Sequence, residues 1–587
     1  MKNLAKFSTL ILTLALFFIL LIATIYTPLT YGWSASTSNY YFLFIIFYLS
    51  ALLSIILFFY QKLSLNRIDL VVLSWIIYIS ATQFFLPDAY LQNEHFYCII
   101  IGGIFYFLCR NILSKKVFID LFLMAIVLFA VYELGKAYIS IIADIKNEKF
   151  SRDRIAADFA NSNLLACFLA ISLPFAYYIT RRYFERPFYQ NIFFIFYAPA
   201  VFVLLIILQS RAALLSIFIA SLLIFFKGNN PGISVALRRR VMLILLPVFL
   251  IGSVALFFLK YNSVVGRLLM WKITLMDACK SFFFGHGAGS FNYQYPSLQA
   301  DYFRHNVASN QTIQVADIPQ VPFNEFINFF FENGVMGLGL ILFLLFLVFK
   351  VKMKESALGV VLKASLVALL INSFFSYPLH VPLILLLFFA IIAILANANK
   401  EAVYSIKLLA RPLYVLMFLC SFLALMYIKK ESDSIKLWRD ASFIFSEDED
   451  AEKVMHKVYP ILKNKGQFLY NYGSLYIEKG KINEGLKLLE KAKQKYNQYD
   501  LYLLLGDTYE KTSQLRMSEV NFSYASYMIP NRFVPKYRLV KLYIRENQTA
   551  KALQLVNKII LMPVKIPSPQ IDFIKQEMIL LKDSLKN

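Results

Sequence analysis

Apolar residues run in blocks of spanning length along the first three quarters of this chain, separated by short polar breaks. That pattern predicts a bundle of membrane helices. The blocks fall at about 7–26, 40–60, 70–85, 95–113, 117–143, 163–179, 191–208, 212–226, 241–259, 335–349, 360–375, 381–395 and 408–428. Several take in polar ends to reach a bilayer's width, so the expectation is about 13 helices. The first block follows Lys2 and Lys6 and has no evident small-residue cleavage site, and reads as the first helix, not a removed signal peptide. Between 260 and 333 the chain is polar and aromatic, too long for a simple linker, which marks a functional or partly helical loop.

After residue 428 the pattern turns soluble and repeats. Gly473, Tyr476 and Ala492 recur as Gly506, Tyr509 and Ala525, with Phe522 and Pro530 in register, and Tyr543 and Ala552 begin a third copy. A period of about 34 residues with small residues where paired helices touch is the tetratricopeptide pattern. Ile482, Leu486 and Leu489 are then expected to face the core of a stacked superhelix. The expected organisation is all-α: a transmembrane domain over 1–428, with the large loop at about 260–333, and helical repeats over 429–587.

Loop charge orients the bundle. Lys and Arg collect in one series of loops: Lys62 and Arg67; Arg110, Lys115 and Lys116; Arg181, Arg182 and Arg186; Lys227 and Arg238 to Arg240; Lys350, Lys352 and Lys354; Lys400, Lys407 and Arg411. The alternate short loops at 28–39, 87–94 and 376–380 carry neither, and 144–154 is a basic exception. This puts the N-terminus inside and, with an odd number of spans, the tail outside. Composition agrees, since 59% of residues are hydrophobic and 16% charged, with mean hydropathy +0.60. Water-soluble domains carry about a quarter charged residues. The net charge of +23 belongs to these loops and the tail, and no zinc-finger or Walker pattern makes it a nucleic-acid signal. The five cysteines show no metal or disulfide spacing, and no metal or cofactor is expected.

Chemistry-bearing residues gather in the outer segments. Arg211 interrupts an apolar stretch in the turn Gln209-Ser210-Arg211, where an arginine is costly unless it faces water, a partner or an anion; a snorkelling headgroup anchor is the bland alternative. Arg267 follows in Gly266-Arg267-Leu-Leu-Met-Trp271. Two outer arginines suit a diphosphate, because the guanidinium fork takes two oxygens and neutralises charge on a leaving group. The run Gly285-His286-Gly287-Ala288-Gly289-Ser290-Phe291 permits a tight turn but lacks the strand a dinucleotide loop requires. Pro322-Phe323-Asn324-Glu325 and Glu332-Asn333-Gly334 open a membrane helix. There Glu325 can act as a base, orient an acceptor hydroxyl, or simply favour the helix N-terminus.

The order of these signals resembles the O-antigen ligase and polymerase superfamily, which includes bacterial O-oligosaccharyltransferases. Asp158-Phe159-Ala160-Asn161-Ser162-Asn163 is similar to its F-x-N-x-N element, and Ser210-Arg211-Ala212-Ala213 to its S-R-G/A-A element. Gly266-Arg267…Trp271, Gly285…Gly287…Gly289…Phe291, Asn324-Glu325…Glu332…Gly334…Gly337 and Ser376-Tyr377-Pro378 resemble elements that follow in the same order. The resemblance runs from about Arg154 to Leu395, and tetratricopeptide tails occur in the family. It implies a C-type glycosyltransferase fold in a bacterial inner membrane, with a cytoplasmic N-terminus and periplasmic repeats. The implied donor is a glycan on undecaprenyl diphosphate and the acceptor a lipid A core sugar or a protein Ser/Thr hydroxyl, with no cofactor. Arg211 and Arg267 match the diphosphate arginines. Asn324 and Glu325 match the acceptor element, but its usual His is missing: Phe323 and Val321 stand in the two positions where it occurs. His286 and His305 in the large loop are the candidate substitutes, with His380 after the late turn as another.

Rival readings stay open at this point. A polymerase would share the donor site. A transporter would need polar groups near mid-membrane, where Glu133 and Lys136 are the main exception to a one-sided distribution. A non-catalytic scaffold would use the repeats to hold a protein partner, and grooves on such repeats tilt the expected acceptor toward protein.

Overall fold

Helix starts follow from local chemistry. Asn66 caps the first described helix by accepting the N–H of Asp69 at 3.0 Å, while Asp69 accepts the N–H of Asn66 at 2.8 Å, the reciprocal arrangement that satisfies two orphan donors. The computed structural model describes residues 63–86, 89, 94–148, 150–159, 161–184, 186–227, 261–399, 404–406, 410–443 and 449–585. The blocks expected at 7–26, 40–60 and 241–259 lie outside the described residues.

The described chain is helical apart from one short ladder, in which Leu63–Leu65 (β1) pairs antiparallel with Tyr404–Ile406 (β2). It forms two compact units. Among the described residues, the first comprises those within 63–227, 283–289 and 323–432; the second comprises those within 261–282, 290–322 and 433–585.

In the first unit the helices are α1 (Arg67–Phe85), α2 (Glu94–Ile112), α3 (Lys116–Lys146), α4 (Ser162–Tyr183), α5 (Pro187–Ile207) and α6 (Arg211–Lys227). In the second unit come α7 (Tyr261–Ala278), α8 (Phe291–His305) and α9 (Asn310–Val315). The first unit resumes with α10 (Glu325–Lys350), α11 (Ser356–Phe375) and α12 (Pro382–Ala398), followed by α13 (Ala410–Phe443). Among the described residues, 67–85, 95–112, 116–146, 162–183, 325–350 and 356–375 are long and apolar enough to cross a bilayer, with shorter apolar helices at 195–207 and 382–398. This is a multi-pass membrane protein.

Helix α12 is buried on every side from Pro382 to Ala396 and forms the centre of the unit. Gly102 of α2 lets the chain pass close to it: a Cβ there would lie 2.3 Å from Phe389 Cε2. The outward rows of α3 and α10, such as Leu128, Ile139 and Ile142, or Leu342, Phe343 and Phe346, stay exposed as lipid-facing residues do.

Two polar networks close the ends of this unit. At the end carrying the basic loops, the buried Asp69 carboxylate accepts Arg110 Nε and Nη2 at 2.8 and 2.9 Å and Tyr106 OH at 2.6 Å. Arg110 also donates to Asn397, and Asn66 Nδ2 donates to Ala396 O. Nearby Asp120 accepts Tyr178 and Tyr183, and Glu355 pairs with Lys116. At the opposite end Lys136 pairs with Asp158, Arg152 donates to Gln209, and Asn161 donates to Tyr377. The grouping of loops expected from charge is therefore the grouping that makes contact. The basic exception at 144–154 sits with the non-basic end through Arg152.

The second unit is built from helix pairs. After α14 (Glu449–Leu462) come α15 (Gly466–Glu478) with α16 (Ile482–Ala492), α17 (Tyr499–Lys511) with α18 (Leu515–Met528), and α19 (Val534–Arg545) with α20 (Thr549–Leu561), then α21 (Pro569–Ser584). The small residues mark the crossings. A Cβ on Gly473 would lie 2.9 Å from Leu489 Cδ2, and one on Gly506 would lie 2.4 Å from Phe522 Cε1. Leu486 and Leu489 are buried as expected, and Ile482 is half-buried.

Two stretches of the large loop, 261–282 and 290–322, belong to this unit. Ala300 of α8 packs with Tyr502, Ala525, Met528 and Ile529, and Gln299 Nε2 donates to Met528 O at 2.6 Å. Asn531 Nδ2 reaches the carbonyls of Ile313, Gln314 and Ala316 at 3.2, 3.1 and 2.9 Å.

Candidate functional site

The site grows from the first turns of α10. Asn324 caps the helix by accepting the N–H groups of Phe326 and Ile327 at 3.0 and 3.1 Å. Glu325, Asn328 and Glu332 follow at three- and four-residue spacing, so they share one face, and all three are buried. A polar stripe on a membrane helix is costly and marks function more often than packing.

Each carboxylate meets a histidine. Glu325 lies 3.3 Å (Oε1) and 3.2 Å (Oε2) from His380 Nδ1, and its Oε1 accepts the Leu379 N–H at 2.7 Å. Glu332 Oε2 lies 3.5 Å from His95 Nε2. The two imidazoles stack, with centroids 4.1 Å apart and planes inclined by 10°. His380 ends the short 3-10 turn Pro378–His380 between α11 and α12. Burial alone would lower its pKa, but the Glu325 carboxylate, reinforced by Glu332, carries it above the ordinary histidine value. Tyr377 completes the cluster. Its ring meets Phe323 edge-on at 5.3 Å and His380 at 6.2 Å, and its OH accepts Asn161 Nδ2 at 2.7 Å.

The glycine motifs explain each other. Gly334 interrupts α10 at φ 61°, ψ −172°, and a Cβ there would lie 2.3 Å from Phe283 O. Gly285, at φ 69°, would place a Cβ 2.5 Å from the carbonyl carbon of Glu332. Two backbones touch here, joined by His286 N to Phe331 O at 3.1 Å, Gly287 N to Glu332 O at 2.8 Å and Met336 N to Phe283 O at 3.3 Å. The 283–289 segment thus braces the kink that presents Glu332.

The sequence candidates distribute as follows. Arg211 is the first residue of α6 and half-buried. Helix α6 runs antiparallel to α11. Asn372 Nδ2 donates to Ser216 Oγ at 2.9 Å, and Gln209, beside Arg211, accepts from Arg152 in the same connection whose Asn161 donates to Tyr377. That register puts Arg211 at the same end of the unit as the Ser376–His380 turn. Arg267 lies half-buried in α7 of the second unit, where Gly266 approaches Val315 and Trp271 Nε1 donates to Pro322 O at 2.8 Å. His286 is buried with its ring 4.7 Å from Phe331. His305 is exposed at the end of α8, with Nδ1 2.9 Å from Asp301 O. The structure brings Asn324 and Glu325 together with His380 and His95. Among the described residues no group of three or more His, Cys, Asp or Glu is placed to hold a metal.

Residues 194–342 match the family model described as O-antigen ligase. The matched segment takes in Arg211, Arg267, the 285–289 glycines, Asn324, Glu325, Glu332 and Gly334; His95, Asn161 and His380 lie outside it. Comparison with curated proteins finds no match. The match supports a ligase- or polymerase-like glycan transferase that handles a lipid-linked glycan donor and an acceptor.

His95 is the residue the sequence reading passed over, because it opens an apolar block and looks like its border. The spacing of Glu325, Asn328 and Glu332 was the available signal: three buried-polar residue types on one face require partners of their own.

Proposed function

We propose that this chain moves a glycan from undecaprenyl diphosphate to an acceptor hydroxyl at the periplasmic face of a bacterial inner membrane. The observation that carries the reading is the register placing Arg211 at the same end of the first unit as Glu325 and its buried polar face. Arg211 and Arg267 are assigned to the donor diphosphate, whose departure needs charge neutralised without a metal. Asn324 fixes the helix start that presents Glu325, and Glu325 is assigned to the acceptor hydroxyl, on which it acts directly or through a group it holds. His286 and His305 are further candidates for that role. The acceptor is a lipid A core sugar or a protein Ser/Thr. The tail is assigned to the tetratricopeptide class on its pairwise crossings at Gly473 and Gly506.

The test is reconstitution with a lipid-diphosphate-linked oligosaccharide and both acceptor types. The parent transfers glycan, while Arg211→Ala and Arg267→Ala lose transfer and still insert and fold. Full activity in either variant removes that residue from the donor site. Growth of the glycan on the donor lipid itself would make the protein a polymerase of the same superfamily.

A further inference from the structure

Glu325, in the first turn of α10, meets a histidine that arrives from a turn 55 residues later in the chain. We infer that His380 is the general base that takes the acceptor hydroxyl proton, with Glu325 as its positioning residue. This rests on the glycan-transfer reading above.

The geometry singles out this ring. Glu325 is fixed by the Leu379 N–H and engages His380 through Nδ1. A carboxylate at Nδ1 holds the proton there and leaves Nε2 as the basic nitrogen. His95 stacks against the face of the ring, with its Nε2 3.5 Å from Glu332 Oε2, and this stack limits the freedom of the imidazole to turn. The same turn places Tyr377 against both His380 and Phe323, which sets the imidazole beside the start of α10. The other histidines lack this arrangement. His286 packs on Phe331 in the bracing segment, His305 turns back onto its own helix, and His456 is exposed on α14.

In the step itself, the acceptor oxygen forms a bond to the anomeric carbon of the donor sugar while its proton passes to His380 Nε2. The bond from that carbon to the diphosphate oxygen breaks, and the electron pair leaves on the polyprenyl diphosphate. The imidazolium, held against Glu325, then returns its proton to solvent.

The test measures single-turnover transfer by reconstituted full-length protein. His380→Ala and His380→Gln should lose about 10²-fold or more in rate, with donor KM nearly unchanged. Glu325→Gln gives a readout that a packing role would not. The groups facing His380 are Glu325, Glu332, His95 and Tyr377, and removing the Glu325 charge lets the imidazole titrate at lower pH. The acid limb of the kcat profile therefore moves to lower pH as kcat falls. An active parent whose His380 variants stay within about threefold of it overturns the assignment, as does loss confined to His286→Ala or His305→Ala. If His380→Ala does not fold, an unmoved acid limb in Glu325→Gln overturns it alone. A parent that transfers no glycan to any acceptor instead removes the underlying reading.

Discussion

Gly334→Ala isolates the contact on which the site's shape depends. The residue sits inside α10 at φ 61°, ψ −172°, a region open essentially to glycine. Holding alanine there costs about 1–3 kcal/mol of backbone strain. Its Cβ would also fall 2.3 Å from Phe283 O and 2.5 Å from Phe284 N, both main-chain atoms that no rotamer change can move aside. The 283–287 segment must therefore lift. The hydrogen bonds from His286 N, Gly287 N and Met336 N then weaken, each contributing about 1 kcal/mol. The combined loss is about 3–6 kcal/mol, and Glu332 loses its placement beside His95. Gly339, further along the same helix, is the control: a Cβ there meets nothing within 4 Å, and Gly339→Ala should change stability by about 1 kcal/mol or less, in the favourable direction. Denaturant titration of both variants in detergent, with transfer activity alongside, measures the contrast. A Gly334→Ala protein as stable as the parent, or a Gly339→Ala protein equally damaged, would refute the argument that this kink is a specific backbone contact.

Asp69→Ala strands Arg110 and should cost about 3–5 kcal/mol, with Asp69→Ala/Arg110→Met recovering part of it; a melting series on the two variants decides. Asn531→Ala removes the donor shared by Ile313, Gln314 and Ala316 and should speed amide exchange at 313–318 while leaving α15 and α16 protected. Lys536 is buried, and burial first and Lys558 second push its ammonium down to about 7. Between pH 7 and the ordinary lysine range the unfolded chain holds more protons than the folded one. Stability around α19 therefore rises with pH over that window, and Lys536→Met should flatten the rise in hydrogen exchange corrected for intrinsic rates. Gly506→Ala forces Phe522 aside and should cost about 1–3 kcal/mol, read as earlier unfolding of α17 and α18.

What the sequence reveals here divides by distance along the chain. The spanning helices among the described residues and the helix crossings at Gly473 and Gly506 follow local patterns, and their physics is local: burial of apolar surface and small residues where helices touch. The pairing of Glu325 with His380 joins residues 55 apart in sequence, and the Gln299 contact with Met528 spans 229. No periodicity encodes such contacts. The 285–289 glycines were readable as a tight turn, but Gly285 is required by the backbone of Glu332 and Asn333 lying against it, and Gly287 by the close approach of Ala89. Likewise, the segment from 260 to 333 looked like one loop because polarity is uniform along it. Instead, Ala300 of α8 joins a core with Tyr502, Ala525, Met528 and Ile529 of the tail, while 283–289 groups with the other unit.

Product stoichiometry tests transfer from a lipid diphosphate. Proteoliposomes holding the parent protein, a lipid-diphosphate glycan and an acceptor should release one polyprenyl diphosphate for each acceptor glycosylated. Arg211→Ala should release none. Glycosylated acceptor appearing without free diphosphate lipid, or at the parent rate in Arg211→Ala, would contradict it.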